Sequence, residues 1–376
     1  MKLRPMTLNV LPLLQRQPQV VQALIALVIF AVIAWVDFVL DRDLSLFALY
    51  LIPTLYAGWF LGSRWGYLGC FASALVWIID DWEGPSPGHH SFVSYWNVAG
   101  RLTVLIVVIA VVNVLKGSLE QKHEAERRSA QKELEIAAEV QLRLLPAKPP
   151  HYRRLDFGFF YRPARELGGD YYDFIPFNSE RMGLAVGDVS GKGVSSALLM
   201  ASLQSLVRTD LAIRQGEARR FAADLNQSLY ELTASDRYAT LFVGIVDIST
   251  LTLDYVNAGH NPPLLFRKGT SPTHSEDRLE EGGLPVGMLV GSQYHSGKIP
   301  LHTGDVLVAY TDGISDALDP QQKEFGEARL RDIVRSSLSL SAAEICKKVG
   351  HQLQAFVAEN PQWDDMTLVV MKIKDE

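Results

Sequence analysis

Four apolar runs within residues 20–115 constrain this chain more than any motif does. Residues 20–36 are almost wholly apolar, and the run extends to Leu40 with Gln22 and Asp37 as its main interruptions. A bilayer takes about 20 apolar residues to cross, so this run is long enough. No small-residue cleavage site follows it, which reads as an anchor rather than a signal peptide. Three further runs cover residues 46–61, 65–79 and 98–115. The first two are short for a span, and the last carries Arg101. Singly, each would pass as a buried helix of a soluble protein. Together, with almost no ordinary polar faces, they predict a four-span α-helical membrane domain over residues 1–115.

Charge sets the expected orientation. Lys2, Arg4 and Arg16 make the start basic, and Arg64 sits in the turn between the second and third runs. Residues 80–97 carry Asp80, Asp81 and Glu83 but no Lys or Arg, whereas Lys116, Lys122, Arg127, Arg128 and Lys132 follow the fourth run. The positive-inside bias then places both ends in the cytoplasm, which an even number of spans satisfies. Arg101 either snorkels to the interface or is a functional charge inside the membrane.

Residues 116–145 are rich in Lys, Glu, Gln, Ala and Arg and hold no Pro or Gly after Gly117. That predicts one continuous helix leaving the membrane, a linker over residues 116–148. Leu119, Ala130, Leu134, Ile136, Ala137, Val140 and Leu144 form a loose apolar stripe. The stripe admits a homodimer through a coiled coil, and its irregular heptads equally admit a passive spacer. Leu144-Leu145-Pro146 ends the helix, and Pro149-Pro150 opens a third region, residues 149–376.

There the pattern changes to short strands. Residues 155–161, 171–176, 182–188, 239–247, 252–257, 263–267, 306–310 and 367–373 read as strands, and 194–213, 217–233, 327–336 and 342–358 as helices. Hairpin spacing after Asp247 implies antiparallel pairing, so the expected class is an α+β sandwich rather than a doubly wound sheet. The chain carries 36 Lys and Arg against 42 Asp and Glu, a formal charge of −6. That is not the footprint of a nucleic-acid binder. The two cysteines, Cys70 and Cys346, have no Cys or His neighbour at zinc-ligand spacing, which argues against a disulfide framework and a structural zinc.

The chemistry concentrates around Ala185-Val186-Gly187-Asp188-Val189-Ser190-Gly191-Lys192-Gly193. An apolar strand delivers a carboxylate into a glycine-rich turn ahead of a helix. A nucleotide P-loop needs G-x-x-x-x-G-K-[ST]; here the glycine spacing is one residue short and Gly193 replaces the hydroxyl residue. Three other acidic clusters lie at the same kind of boundary: Gly168-Gly169-Asp170, Thr311-Asp312-Gly313 and Trp363-Asp364-Asp365. Each alone is an ordinary turn signal. Strands ending on one rim would bring the four together, and such an all-oxygen site suits Mg²⁺ or Mn²⁺ rather than zinc.

These motifs carry a resemblance. Leu144-Leu145-Pro146, Gly168-Gly169-Asp170-Tyr171-Tyr172-Asp173, Gly187-Asp188-Val189-Ser190-Gly191-Lys192-Gly193, Asn257-Ala258-Gly259-His260-Asn261-Pro262-Pro263, Tyr310-Thr311-Asp312-Gly313 and Asp364-Asp365-Met366-Thr367 occur in order. Over residues 133–374 the chain resembles the SpoIIE/RsbU-type bacterial branch of the PPM (protein phosphatase 2C-like) serine/threonine phosphatases. The resemblance implies an αββα sandwich of two antiparallel sheets with two Mn²⁺ or Mg²⁺ ions between them. Carried over by motif, Asp170, Asp188, Asp312 and Asp364 are metal ligands, with the Val189 carbonyl on one ion and Asp188 as the catalytic bridge. Asp365 takes a supporting place beside Asp364. Water activated between two cations attacks phosphorus in line, with no phosphoenzyme.

The resemblance further implies a phosphoserine or phosphothreonine protein substrate, a STAS-type anti-sigma-factor antagonist, and a multi-pass protein of the bacterial inner membrane with its catalytic domain cytoplasmic. One departure stands out. The eukaryotic branch carries a histidine, read as general acid, two residues after the bridging aspartate, and Ser190 occupies that position here. His260 either substitutes for it or is a structural turn histidine. Lys192 either meets phosphate as a point charge or is a solvated turn lysine. Two other functions remain open on sequence: an inactive phosphatase-like receptor that only binds a partner, and a hydrolase of small phosphates.

Overall fold

The computed structural model describes residues 14, 17–39, 46–82, 92–214, 218–233, 237–268 and 276–375. Lys2, Arg4, Arg16 and residues 83–91 of the acidic 80–97 loop, on which the orientation reading rests, lie outside the described residues. The chain divides into two compact units, Met1–Ser129 and Ala130–Glu376.

The first unit is helical: α1 (Gln19–Val39), a 3₁₀ turn at Phe47–Tyr50, α2 (Leu51–Phe60), α3 (Ser63–Trp82) and the start of α4 (Phe92–Leu144). Two of these helices are long and apolar enough to cross a membrane by length and composition, α1 and the Tyr95–Leu144 stretch of α4. The other two expected spans are the shorter apolar segment Phe47–Phe60 and α3, whose ends carry Arg64 and Asp80-Asp81. Tyr50 is fully buried among the helices and meets Phe30 and Trp77 edge to face. A Cβ on Gly66 would lie 2.9 Å from the Gly58 Cα, so α2 and α3 pack through two glycines.

The second unit is a sandwich of two sheets. One has the order β1 (Leu155–Arg162), β11 (Met366–Ile373), β10 (Val306–Tyr310), β6 (Leu264–Phe266), β7 (Glu276–Arg278). The other runs β2 (Tyr171–Pro176), β3 (Arg181–Val189), β4 (Ala239–Asp247), β5 (Thr252–Ala258), β8 (Gly282–Gly283), with β9 (Gly297–Pro300) also on β5. Every pairing is antiparallel except β5 with β8. Helices α5 (Val194–Arg214) and α6 (Ala218–Leu232) cover the second sheet. Helix α9 (Ala342–Val357), with α8 (Gly326–Arg335) against it, covers the first, and α7 (Asp312–Ser315) is a single turn.

This layering explains why several strands read as continuous apolar runs. In β11, Val369, Met371 and Ile373 face the core between the sheets, while Met366, Leu368 and Val370 face the α8–α9 layer. Both faces of the strand are removed from water, so the alternation of a half-buried strand is lost. The αββα sandwich expected from the resemblance is therefore present, with β7, β8 and β9 as additions too short to show a period.

Candidate functional site

The four acidic motifs meet at one end of the sandwich because of strand direction. Antiparallel register sets Asp188, near the end of β3, opposite Thr240 at the start of β4, and Tyr171 opposite Gly187. Asp170 directly precedes β2, Asp312 follows β10, and Asp364-Asp365 precede β11.

Asp170 is almost fully buried at 1% exposure. Its Oδ2 accepts from the hydroxyls of Thr311 (2.7 Å) and Thr367 (2.5 Å), one on each neighbouring motif of the other sheet. Burial, then the Asp188 charge, holds its carboxyl well above the usual carboxylate range, against the two hydroxyl bonds that favour ionisation. Asp188 is pushed up to about 7 by burial first, then by Asp312, Asp364 and Asp365. Asp312 is raised by desolvation, Asp364 and Asp316. Carboxylates that oppose one another's ionisation are close in space, and Lys192 offsets the charge on Asp188 and Asp312 only in part; such groups concentrate at functional sites.

Between Asp170 and Asp188 the backbone leaves a cradle. A Cβ on Gly169 would lie 3.1 Å from the Val189 carbonyl oxygen and 3.5 Å from Asp188 Oδ1. Glycine there keeps a carboxylate oxygen and a main-chain carbonyl open on the side toward Asp170. Among the described residues, no three His, Cys, Asp or Glu side chains close tightly enough to hold a metal ion by themselves. The donor set nevertheless fits a divalent cation in kind: hard oxygen ligands, excess negative charge and a carbonyl in a cradle.

The supporting residues separate into distinct roles. Asp365 is buried and faces inward; Oδ1 accepts from Ala164 N (2.7 Å) and Oδ2 from Gly169 N (2.5 Å). It thus holds the backbone ahead of Asp170. Lys192 donates to Asp364 Oδ2 (2.8 Å) and to the Trp363 carbonyl (2.7 Å), bridging the glycine turn to the last motif. Arg237 Nη1 reaches the Ser190 carbonyl at 3.3 Å. Ser190 itself is spent on the turn, its Oγ accepting from Tyr238 N at 3.0 Å.

His260 is buried at 6% exposure, with Nδ1 2.9 Å from Thr240 Oγ1 and its own N–H donating to Asn257 Oδ1 (2.7 Å). Nε2 has no hydrogen-bond partner among the described residues, and the Tyr310 main chain lies close to the ring. Burial pulls its pKa down to about 4, so the ring is neutral at pH 7. The ring thus lies between Thr240 at the start of β4 and Tyr310 at the end of β10. Thr311, Thr367 and Gln141 also shape the site and went unassigned on sequence. The two threonines stand in Tyr310-Thr311-Asp312-Gly313 and Asp364-Asp365-Met366-Thr367, where nothing local marks them as donors to Asp170.

Known proteins share this fold. The SiaA-PP2C domain of Pseudomonas aeruginosa superposes with a TM-score of 0.57 at 19% identity, covering 67% of this chain and 99% of that one. The PP2C phosphatase domain of Bacillus subtilis SpoIIE, with a fragment of its regulatory domain, gives 0.51 at 19% identity over 60% and 64%. At such identities the likeness is one of fold. In sequence, phosphoserine phosphatase RsbU of B. subtilis is 28% identical over 265 residues, 69% of this chain and 76% of RsbU. Protein IcfG of Synechocystis sp. is 29% identical over 265 residues, 64% of this chain but only 41% of IcfG. Phosphoserine phosphatase RsbP of B. subtilis is 28% identical, and the match covers 59% of its length. The family model of Stage II sporulation protein E (SpoIIE) matches residues 178–374, over half of the chain, and the chain belongs to that family, the SpoIIE/RsbU-type branch of the PPM phosphatases.

Proposed function

We propose that this protein is a membrane-anchored, metal-dependent serine/threonine phosphoprotein phosphatase. The observation that carries the reading is the convergence of Asp170, Asp188, Asp312 and Asp364 at one end of the sandwich, where Asp188 Oδ1 and the Val189 carbonyl lie beside the Gly169 cradle. In this reading those four and the Val189 carbonyl would hold two Mn²⁺ or Mg²⁺ ions, with Asp188 the central ligand. The ions would supply neutralisation of phosphate charge and acidification of water. The chain's own residues do the rest. Lys192, about half exposed at the turn, offers a point charge to the incoming phosphate. Arg237 keeps the turn seated on β4. Buried His260 holds the strand ends without exchanging protons with substrate, and the leaving alkoxide takes its proton from solvent.

The relatives named phosphoserine phosphatase support a phosphoserine or phosphothreonine substrate, and the family resemblance points to a STAS-type antagonist in signal transduction. Exposed apolar side chains along α1, α3 and α4, such as Leu27, Phe71 and Val107, support placement in the inner membrane, with α2 and α3 as the remaining two of four spans. The glycine contact between α2 and α3 is of the kind that packs helices in lipid. Ile136 and Val140, exposed one turn apart on α4, support a homodimer along the linker.

The test is phosphate release by the full chain in nanodiscs, with a phosphorylated STAS protein and a small phosphate ester, with and without Mn²⁺. Mn²⁺-dependent turnover favouring the protein substrate is expected. Binding without turnover would make the chain a receptor that has lost its enzyme function, and equal turnover of both would make it a small-phosphate hydrolase.

A further inference from the structure

Groups that recognise phosphate treat every phosphate ester alike. Preference for a protein needs a contact with the chain around the phosphorylated residue. The rim of the site offers one at Trp363. Of the seven tryptophans, six fall between residues 35 and 96, and Trp363 alone comes after the N-terminal unit. The six stand toward the ends of its helices, where a lipid–water interface would favour them. Trp363 has no such reason. It is 67% exposed and belongs to neither layer of the sandwich core. Side chains of this size and apolar area are on average highly buried.

Its main chain is fastened while its ring stands in water. The Trp363 carbonyl accepts from Lys192 Nζ at 2.7 Å. Gln362, the residue before, donates from Nε2 to the Arg162 and Asp364 carbonyls, both at 2.8 Å. The ring is therefore carried one residue from Asp364, about 3.8 Å between Cα atoms.

We propose that Trp363 is a specificity-determining residue that packs on the polypeptide flanking the substrate's phosphoserine, and that this contact sets the preference for a phosphoprotein over a small phosphate ester. The proposal rests on the reading of the site as that of a phosphoprotein phosphatase. Tryptophan suits the task because it presents a large, rigid face with only two torsions to fix. It is also enriched among the residues that carry the binding energy of protein interfaces. Its indole N–H can donate to a main-chain carbonyl, which any substrate sequence offers. Lys192, on the Trp363 carbonyl, sets the cation that meets the phosphate beside the apolar face that meets the chain. An ester with no flanking chain gains nothing from the ring.

The experiment compares a phosphorylated STAS protein with free O-phosphoserine as substrates of the full chain in nanodiscs at saturating Mn²⁺. Trp363→Ala should raise KM for the phosphoprotein about 10–30-fold, the loss expected of one central interface tryptophan, with kcat retained. The ratio of kcat/KM between phosphoprotein and O-phosphoserine should fall by the same factor. Trp363→Gln, which keeps a long side chain without the apolar face, should behave like Trp363→Ala. Trp363→Phe should recover part of the loss. The Mn²⁺ Kd, read by paramagnetic resonance, should match wild type in all three. A Trp363→Ala chain with the wild-type ratio overturns the proposal, and if that variant does not fold, a wild-type ratio in Trp363→Gln overturns it equally. An equal loss on both substrates, or a weakened Mn²⁺ Kd, would assign the ring to the seating of Asp364 and overturn it too. Wild type that hydrolyses neither substrate, or both alike, would instead defeat the phosphoprotein phosphatase reading, and this inference with it.

Discussion

Asp170 and Asp173 lie three residues apart at the start of one strand, and both are buried, at 1% and 0% exposure. Asp173 is compensated. Arg208 of α5 reaches it with Nε at 2.6 Å and Nη2 at 2.9 Å, and the Tyr171 hydroxyl and Phe174 N–H complete its shell. Asp305 is treated alike, accepting from Arg267 Nη1 (2.7 Å), His302 N (2.9 Å) and Lys268 N (3.2 Å). Asp170 receives hydroxyls instead of a cation and faces Asp188. A buried carboxylate with its own guanidinium fastens an element of the fold. A buried carboxylate facing other carboxylates is a cost to the fold, retained for what it binds.

The comparison is broken or sharpened most strongly by two isosteric changes. Asp188→Asn should reduce Mn²⁺-dependent turnover about 10²–10³-fold, because an oriented charge at the reacting centre is lost. The metal-free protein should melt no lower, since repulsion among the carboxylates is relieved. Asp173→Asn should do the reverse: a loss of about 2 kcal/mol in unfolding free energy, limited because the half-exposed Arg208 can rehydrate. At temperatures where it stays folded, its turnover should be near wild type. Denaturant melts and turnover on both variants measure this, and equal losses of stability would erase the distinction.

His260 tests the boundary between the two kinds of site. Its folded pKa of about 4 lies below the value of about 6.5 for an unfolded histidine. The unfolded chain therefore takes up this proton first as pH falls. The stability contributed by the neutral ring is complete above about 6.5, falls between about 6.5 and 4, and levels off below that. Over this window the residue accounts for about 3 kcal/mol, which His260→Gln should remove from the pH profile of unfolding. An unchanged profile would mean that the ring is not held neutral.

Lys192 should give the smallest effect. Its pair with Asp364 is about half exposed on both sides, so Lys192→Met should change stability by less than about 1 kcal/mol. In steady-state kinetics its KM for the phosphoprotein should rise severalfold, with a weaker dependence on salt than wild type. A KM and salt dependence equal to wild type would leave Lys192 a turn lysine.

What the sequence by itself determined is local and periodic. Burial on both faces made β10 legible as an unbroken apolar run and β11 as one interrupted by Thr367 and Lys372, and the absence of Pro and Gly after Gly117 announced the long helix through Leu144. Glycines beside aspartates marked the ends of strands, and their order carried the family. The strands within residues 276–300, of two to four residues, were not legible because nothing that short shows a period. The tertiary structure decided which aspartate has an arginine, which histidine is sealed from water, and which glutamine lies against Gly168. Those outcomes depend on partners 20 to 197 residues away, such as Thr240 with His260 and Thr367 with Asp170. A sequence motif states which groups are present. Their charge and orientation follow from desolvation and pairing, which only the packing of distant segments supplies.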